Sequence, residues 1–390
     1  MNKNRVIYQS QAVYAGFDKS AKGDTGWRVE TGTYKPKQLK RIQTANYSFD
    51  IARTDVNQFG ELAAIDRVVL ESPTVSFDTS WYACNWYNED VIGLKINATG
   101  TAIGSLSSCL TDILENNADE RNYYVKIVEE GKDANANSGT STDIHKNAVG
   151  GIGNGFLSIY SIEGAVGGFP TASVTVEALN IAFTKGISGN APWVSAANGK
   201  KNAGQSPADA NGATHDFELP EAASNGASTY NGPKAKVMKP GDITLTLPAA
   251  QGGAELDGIA VQSFNCGFDL AREPLNKLGS RFAFAREVTF PVTATMSVDC
   301  LVGDMAEGNL ADMIDNNTDQ QIVVKIDDQG DYRDHVDEGH MQICMKKAKL
   351  DSQSISQGIG DNQTVSLNWS AQVGSSSQTD VGLFLSGSAL

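Results

Sequence analysis

Apolar and polar residues alternate in four stretches of the chain. Thr289–Val298 (TFPVTATMSV), Ser173–Phe183 (SVTVEALNIAF), Thr364–Val373 (TVSLNWSAQV) and Ile243–Leu247 (ITLTL) carry β-branched or apolar residues at every second place. That period predicts strands with one face on a core and the other on solvent or a neighbour. A helical period appears in LTDILENNAD (110–119), where Leu110, Ile113 and Leu114 fall at i, i+3 and i+4 and Asn116-Asn117 suits a C-terminal stop. LADMIDNNTD (310–319) repeats it with Leu310, Met313 and Ile314.

The recurrence extends beyond that helix, because the chain contains a tandem duplication. Residues 42–67 (IQTANYSFDIARTDVNQFGELAAIDR) and 261–286 (VQSFNCGFDLAREPLNKLGSRFAFAR) align without a gap at an offset of 219, with ten of 26 positions identical. The identities are Gln43/Gln262, Asn46/Asn265, Phe49/Phe268, Asp50/Asp269, Ala52/Ala271, Arg53/Arg272, Asn57/Asn276, Gly60/Gly279, Ala64/Ala283 and Arg67/Arg286. Ordinary composition gives identity at roughly one position in fifteen. The helical blocks follow in the same order at an offset of 200, so copy one carries about nineteen extra residues (219 less 200), around Asn85–Ser105.

The reading is a mainly β fold of two tandem β-barrel or sandwich modules, each with one flanking α-helix. The expected boundaries are 1–185 for the first module, 186–236 for a Gly/Ala/Asn-rich joint, and 237–390 for the second module. Trp193, Phe217, Leu219 and Tyr230 could pin the joint to the surface as an outer flap. Residues 132–155 read as a Gly/Asn/Ser loop peculiar to copy one. Phe49, Asp50, Phe268 and Asp269 read as module framework. After them comes a loop of about fifteen residues in each copy, holding Arg53, Asn57, Gly60 and Arg67, then Arg272, Asn276, Gly279 and Arg286. Two explanations stand for its retention: turns that need φ > 0 with a local salt-bridge set, or a contact between subunits.

Composition narrows the function classes. Hydrophobic residues at 40% and charged residues at 20% suit a globular chain rather than global disorder. No apolar run approaches the ~20 residues of a membrane span. The opening MNKNRVIYQSQAVY has neither an apolar h-region nor a small-residue cleavage site, so folding in a cytoplasm is expected. The five cysteines are odd in number and lack C-x-x-C spacing, which predicts free core thiols. A net charge of −15 without a basic cluster lacks the cation stripe of nucleic-acid binders.

Catalytic constellations are missing. GGIGNG (150–155) fails G-x-G-x-x-G and reads as a turn. Asp334–His340 concentrates metal-ligating residue types but reads as a solvated hairpin, and Asp327–Asp331 lacks the closing Glu of a calcium loop. No catalytic residue, metal or cofactor is expected.

A duplicated module without a catalytic site suits an assembly unit. The F-D-[IL]-A-R block, the strand–long loop–strand that follows, the LxDxxxNNxD helix and the closing strands resemble the tail tube proteins of tailed bacteriophages. The likeness is to the variety with two fused tube domains, and it covers most of 1–183 and 237–390. It implies a virion protein whose partners are itself, in rings of three chains with pseudo-six-fold symmetry, and other tail proteins. The strands flanking the long loops would line a lumen through which DNA passes without being held. Arg53–Arg67 and Arg272–Arg286 would be contacts between rings, with the joint and the copy-one insertions outside. Alternatives are a single-ring tail hub or distal tail ring, a tandem Ig-like adhesin, and a virion-associated glycan hydrolase.

Overall fold

The computed structural model describes residues 10–17, 36–70, 73–98, 100–101, 103–115, 120–128, 134, 148–185, 238, 243–246, 260–276, 278–279, 283, 285–301, 319–327, 340–356, 362–375 and 377–387. The first copy contains β1 (Gln11–Phe17), β2 (Lys37–Gln38), β3 (Ile42–Asp50), β4 (Thr54–Val56), β5 (Asp66–Val68), β6 (Thr74–Tyr82), α1 (Tyr87–Ile92) and β7 (Ile96–Asn97). It continues with α2 (Thr111–Glu115), β8 (Glu120–Ile127), β9 (Ala148–Ala165), β10 (Thr171–Ala178) and β11 (Asn180–Lys185). The second contains β12 (Ile243–Thr246), β13 (Ala260–Asp269), β14 (Arg272–Leu275), β15 (Ala285–Val288), β16 (Thr293–Leu301), β17 (Gln320–Asp327), β18 (His340–Ser356), β19 (Thr364–Gln372) and β20 (Gly382–Gly387).

Sixteen of these strands join in one network whose main path runs β12-β17-β18-β19-β16-β13-β9-β10-β6-β3 and does not close. The chain is mainly β, as its alternation predicts. The two copies form one continuous sheet rather than two separate barrels, because β13 of the second pairs along β9 of the first. One cluster of buried apolar side chains accordingly runs through both copies, from Phe77, Trp81 and Tyr160 to Phe264, Met296 and Trp369.

The duplication repeats down to its irregularities. The order β3-β6-β10-β9 recurs as β13-β16-β19-β18. The register slip between Ile42 and Thr44 recurs between Val261 and Ser263. The slip between Arg121 and Tyr123 recurs between Gln320 and Ile322. Asn154 and Lys347, at matching points of β9 and β18, both hold a left-handed backbone (φ 53° and 52°). Each long strand therefore bends at the same residue. Its first half pairs in one layer (β8-β9-β11 and β17-β18-β20), and its second half pairs in the other. The core lies between these layers.

Three expectations change. Residues 148–155 belong to β9, so GGIGNG is buried strand rather than turn: the Phe183 ring covers Gly150, and Val176 and Tyr123 crowd Gly155. The strand expected from Thr289 starts at Thr293, because Pro291 has no N–H for the ladder. Copy one has a second helix, α1, inside its insertion. That insertion is not a loose appendage of copy one; it clasps the last strand of copy two. Indole Nε1 of the buried Trp86 donates to Ser386 O (2.7 Å), Asn97 Nδ2 to Leu385 O (2.8 Å), and Cys109 N to Leu383 O (3.0 Å). β7 runs parallel to β20, covering its edge. The joint at 186–236, the helix expected at 310–319 (its last residue, Asp319, apart) and the hairpin segment before His340 lie outside the described residues.

Candidate functional site

Two features qualify as functional surfaces: the outer face of the continuous sheet and its two ends. The outer face is set by strand alternation, since burial follows a strict period of two along β6, β10, β16 and β19. Its outward residues are nearly all Ser, Thr, Asn, Gln, Asp or Glu. They hydrogen-bond across the strands: Thr44 to Ser80 (2.7 Å), Thr175 Oγ1 to Asp78 (2.7 Å), Ser161 to Ser173 (2.7 Å), Ser263 and Ser366 to Asp299 (2.8 and 2.6 Å), and Asn368 Nδ2 to Ser352 (2.9 Å). No lysine or arginine occurs in any of the eight strand segments 44–50, 74–82, 171–177, 159–165, 263–269, 293–301, 364–372 and 352–356. Six carboxylates do: Asp50, Asp78, Glu163, Glu177, Asp269 and Asp299. Arg286 of the copy-two arm meets this face at Glu177, and Lys349, beyond the bulge of β18, is held by Asp319 at 2.7 Å.

Among the described residues, the two ends of the sheet carry no further strand. Among the described residues, β3 pairs only with β6, and Lys349–Ser356 of β18 pairs only with β19. Their counterparts, β13 and the second half of β9, pair with each other inside the chain, from Ser263 opposite Ala165 to Asp269 opposite Ile159. Phe268 stacks on Tyr160 there, with centroids 5.6 Å apart.

The long loops chosen from the sequence are not plain loops. Each is an arm tipped by a two-stranded ribbon, β4–β5 or β14–β15. Gly60 and Gly279 supply the positive φ at the tips (90° and 81°), as the turn explanation requires. The copy-two arm docks on copy one. Arg272 Nε donates to Leu157 O (2.8 Å) and its Nη1 to Arg286 O (3.1 Å), with the guanidinium over Phe156. Arg286 is buried in an ion pair with Glu177, and Ala283 packs with Phe156 and Leu179. Burial pushes the Arg286 guanidinium below its ordinary pKa, and the Glu177 carboxylate opposes that shift. The copy-one arm is exposed from Ile51 to Leu70, Arg53 and Asn57 included, and Arg67 Nε pairs with its own Asp55 at 2.6 Å. Phe59 and Leu62 stand fully in solvent, as does Leu278 on the other arm. Asp50 and Asp269 lie on the polar face; Phe268 is buried and Phe49 exposed.

Sequence reasoning missed Glu89 of α1. Its Oε1 accepts from Trp81 Nε1 (3.0 Å) and Tyr160 OH (3.3 Å), while Oε2 is buried without a hydrogen-bond partner. Burial pushes this carboxyl up to about 7. An isolated acid at i+2 from Tyr87 carries no sequence signal that it turns inward. All five cysteines are free and buried, as their apolar settings predict.

No helix among the described residues is long and apolar enough to cross a membrane. No protein-family model and no curated protein matches the chain. Among solved structures the chain is similar to the SPP1 tail tube, determined by solid-state NMR with cryo-electron microscopy, at 17% identity over 38% of this chain and 77% of that one. The TM-score is 0.24, a likeness too weak to set residues of the two chains in correspondence.

Proposed function

We propose that this chain is a structural subunit of a bacteriophage tail, three copies of which close a pseudo-six-fold ring that stacks into the hollow tube through which DNA passes. The observation that carries the reading is the outer sheet face: eight strand segments with no lysine or arginine, six carboxylates, and hydroxyls that bond one another. Duplex DNA adheres to proteins mainly through cations that replace its condensed counterions. A wall whose strand segments carry carboxylates and no lysine or arginine gives phosphate no counter-charge to bind. It suits a conduit and opposes a nucleic-acid grip.

The role is one of shape and surface rather than catalysis. The exposed apolar tips of the arms, Phe59, Leu62 and Leu278, fit contacts along the stacking axis. Arg53 and Asn57 keep that assignment. Arg272 and Arg286 are engaged within the chain, and their part is to join the two copies. Negative-stain microscopy of the purified protein at high concentration tests the proposal. Long hollow tubes with a regular ring repeat are expected. Isolated rings would assign the chain to a tail hub or distal ring, and persistent monomers would overturn the assembly reading.

A further inference from the structure

The joint between the two copies inside one chain is also the joint between chains: we propose that β3 of one molecule pairs antiparallel with the second half of β18 of another, in the register of β13 on β9. The inference needs only the repeat. It holds whether the assembly is a tube, a single ring or an open row of molecules.

What the internal joint buries, the open ends expose, at equivalent positions and in the same residue types. Phe268 is 4% exposed at the joint; its counterpart Phe49, on the open edge of β3, is 59% exposed. Ile162 is 1% exposed; its counterpart Ile355, on the open edge of β18, is 48% exposed. The docked Ala283 and Arg286 are buried, whereas Ala64 and Arg67 on the free arm stand in solvent. An open edge flanked by exposed apolar side chains is a template for another strand. The two edges lie at opposite ends of the sheet, so each molecule has one of each and the contact propagates head to tail.

The internal joint also fixes the register. Asn265 faces Glu163 and Cys266 faces Ile162. Subtracting the repeat offset of 219 on one side, and adding the 193 that separates β9 from β18 on the other, sets Asn46 opposite Ser356 and Tyr47 opposite Ile355. Leu270 N–H to Ser158 O (2.6 Å) and Val166 N–H to Gln262 O (2.9 Å) show which amides cross the joint: those of alternate residues that include Cys266 and Ile162. Tyr47 and Ile355 therefore exchange hydrogen bonds, and Asn46 and Ser356 form the close, non-bonded pair on the polar face. One difference separates the joints. Ser48 stands where Gly267 does, and a Cβ at Gly267 would lie 2.4 Å from Tyr160 O, so the strands of two molecules stand further apart at that point.

The test is a cysteine pair, Asn46→Cys with Ser356→Cys, in the full chain, treated with a mild copper oxidant at concentrations where the protein assembles. The native cysteines are all buried, so the added thiols are the exposed ones. Facing positions of a non-bonded antiparallel pair are close enough for a disulfide. A reductant-sensitive ladder at multiples of 41.4 kDa is expected. The pair Asn46→Cys with Ser354→Cys, out of register by two residues, should cross-link roughly ten-fold less. No ladder, or equal ladders from both pairs, while sedimentation still shows assembly, overturns the joint. As a second variant, Ile355→Pro removes one amide from the open edge but none facing β19. It should leave the circular dichroism and melting of the monomer unchanged and abolish assembly; assembly at wild-type concentrations would likewise overturn the joint. Tubes without the cross-link would sink this register and keep the proposed function, and a ladder without tubes would do the reverse.

Discussion

Glu89 sits where a charge is costly. Two side-chain donors meet one of its oxygens and none meets the other, and the carboxyl is pushed up to about 7 because desolvation outweighs the bonds from its own backbone N–H, Trp81 and Tyr160. Its folded pKa lies above the unfolded value of 4.5. Its contribution to stability is therefore fully present below that value and is lost as pH rises through about 7. At about 1.4 kcal/mol per unit, the difference amounts to a few kcal/mol. Thermal melting at pH 5.5 and 8.5 should show the wild type losing more stability at the higher pH than Glu89→Gln, which keeps an acceptor and cannot titrate. Equal losses would mean that the carboxyl ionises without cost. A second comparison uses the paired phenylalanines. Phe268→Ala should cost about 3–5 kcal/mol in urea denaturation, whereas Phe49→Ala in the unassembled chain should cost under about 1 kcal/mol and act on assembly instead. Similar costs in the monomer would contradict the exposure difference at the two edges.

At the scale of elements, the clasp holds the last strand of copy two. Trp86 is fully buried, and its indole satisfies Ser386 O, so Trp86→Ala removes packing and leaves a carbonyl unpaired. A loss of about 3–5 kcal/mol is expected, read as a lower denaturant midpoint. A loss under ~1 kcal/mol would show that β20 holds without it. Nothing in the sequence announces this contact, because Asn97 and Leu385 are 288 positions apart and β7 is too short to show a period. Other elements were legible for a physical reason. β10, β16 and β19 each bury one face only, so their alternation is complete. β9 buries both faces over its first half, and there its glycines leave room for Phe183, Tyr123 and Val176. The same glycines carry turn propensity, so GGIGNG reads as a turn in isolation. The ribbons at the arm tips are three or four residues long, below the length at which a period of two can be told from a loop. The Gly60 and Gly279 turns, the retained arginines and the duplication were visible because they depend on residue identity. The Arg67–Asp55 pair stays within its loop, as the salt-bridge explanation has it; that Arg286 ends on Glu177 of the other copy was not visible, because Pro274 stands at the counterpart of Asp55.

For the whole molecule, the repeat makes the sheet a modular wall. Each copy adds four strands in the same order, and the chain contributes eight to a surface whose two ends match each other. In the proposed tube, charge on that surface would be multiplied by every chain in a ring and every ring in a stack. A single lysine per copy would then be repeated along the whole of the proposed bore. Asp78→Lys with Ser297→Lys places one at the equivalent point of each copy, outward on β6 and β16 and away from the edges that join molecules. The doubly substituted chain should fold and assemble as the wild type does. Its affinity for a short labelled duplex, followed by fluorescence anisotropy over a salt series, should rise. The slope of log affinity against log salt should steepen by about 0.9 for each phosphate contacted. The wild-type assembly should show no retained binding near ~0.15 M salt, where the screening length is about 8 Å and only direct contacts hold DNA. Tight, salt-dependent binding by the wild type would mean that cations elsewhere govern its meeting with DNA. The proposal that DNA moves along the polar face would then fail.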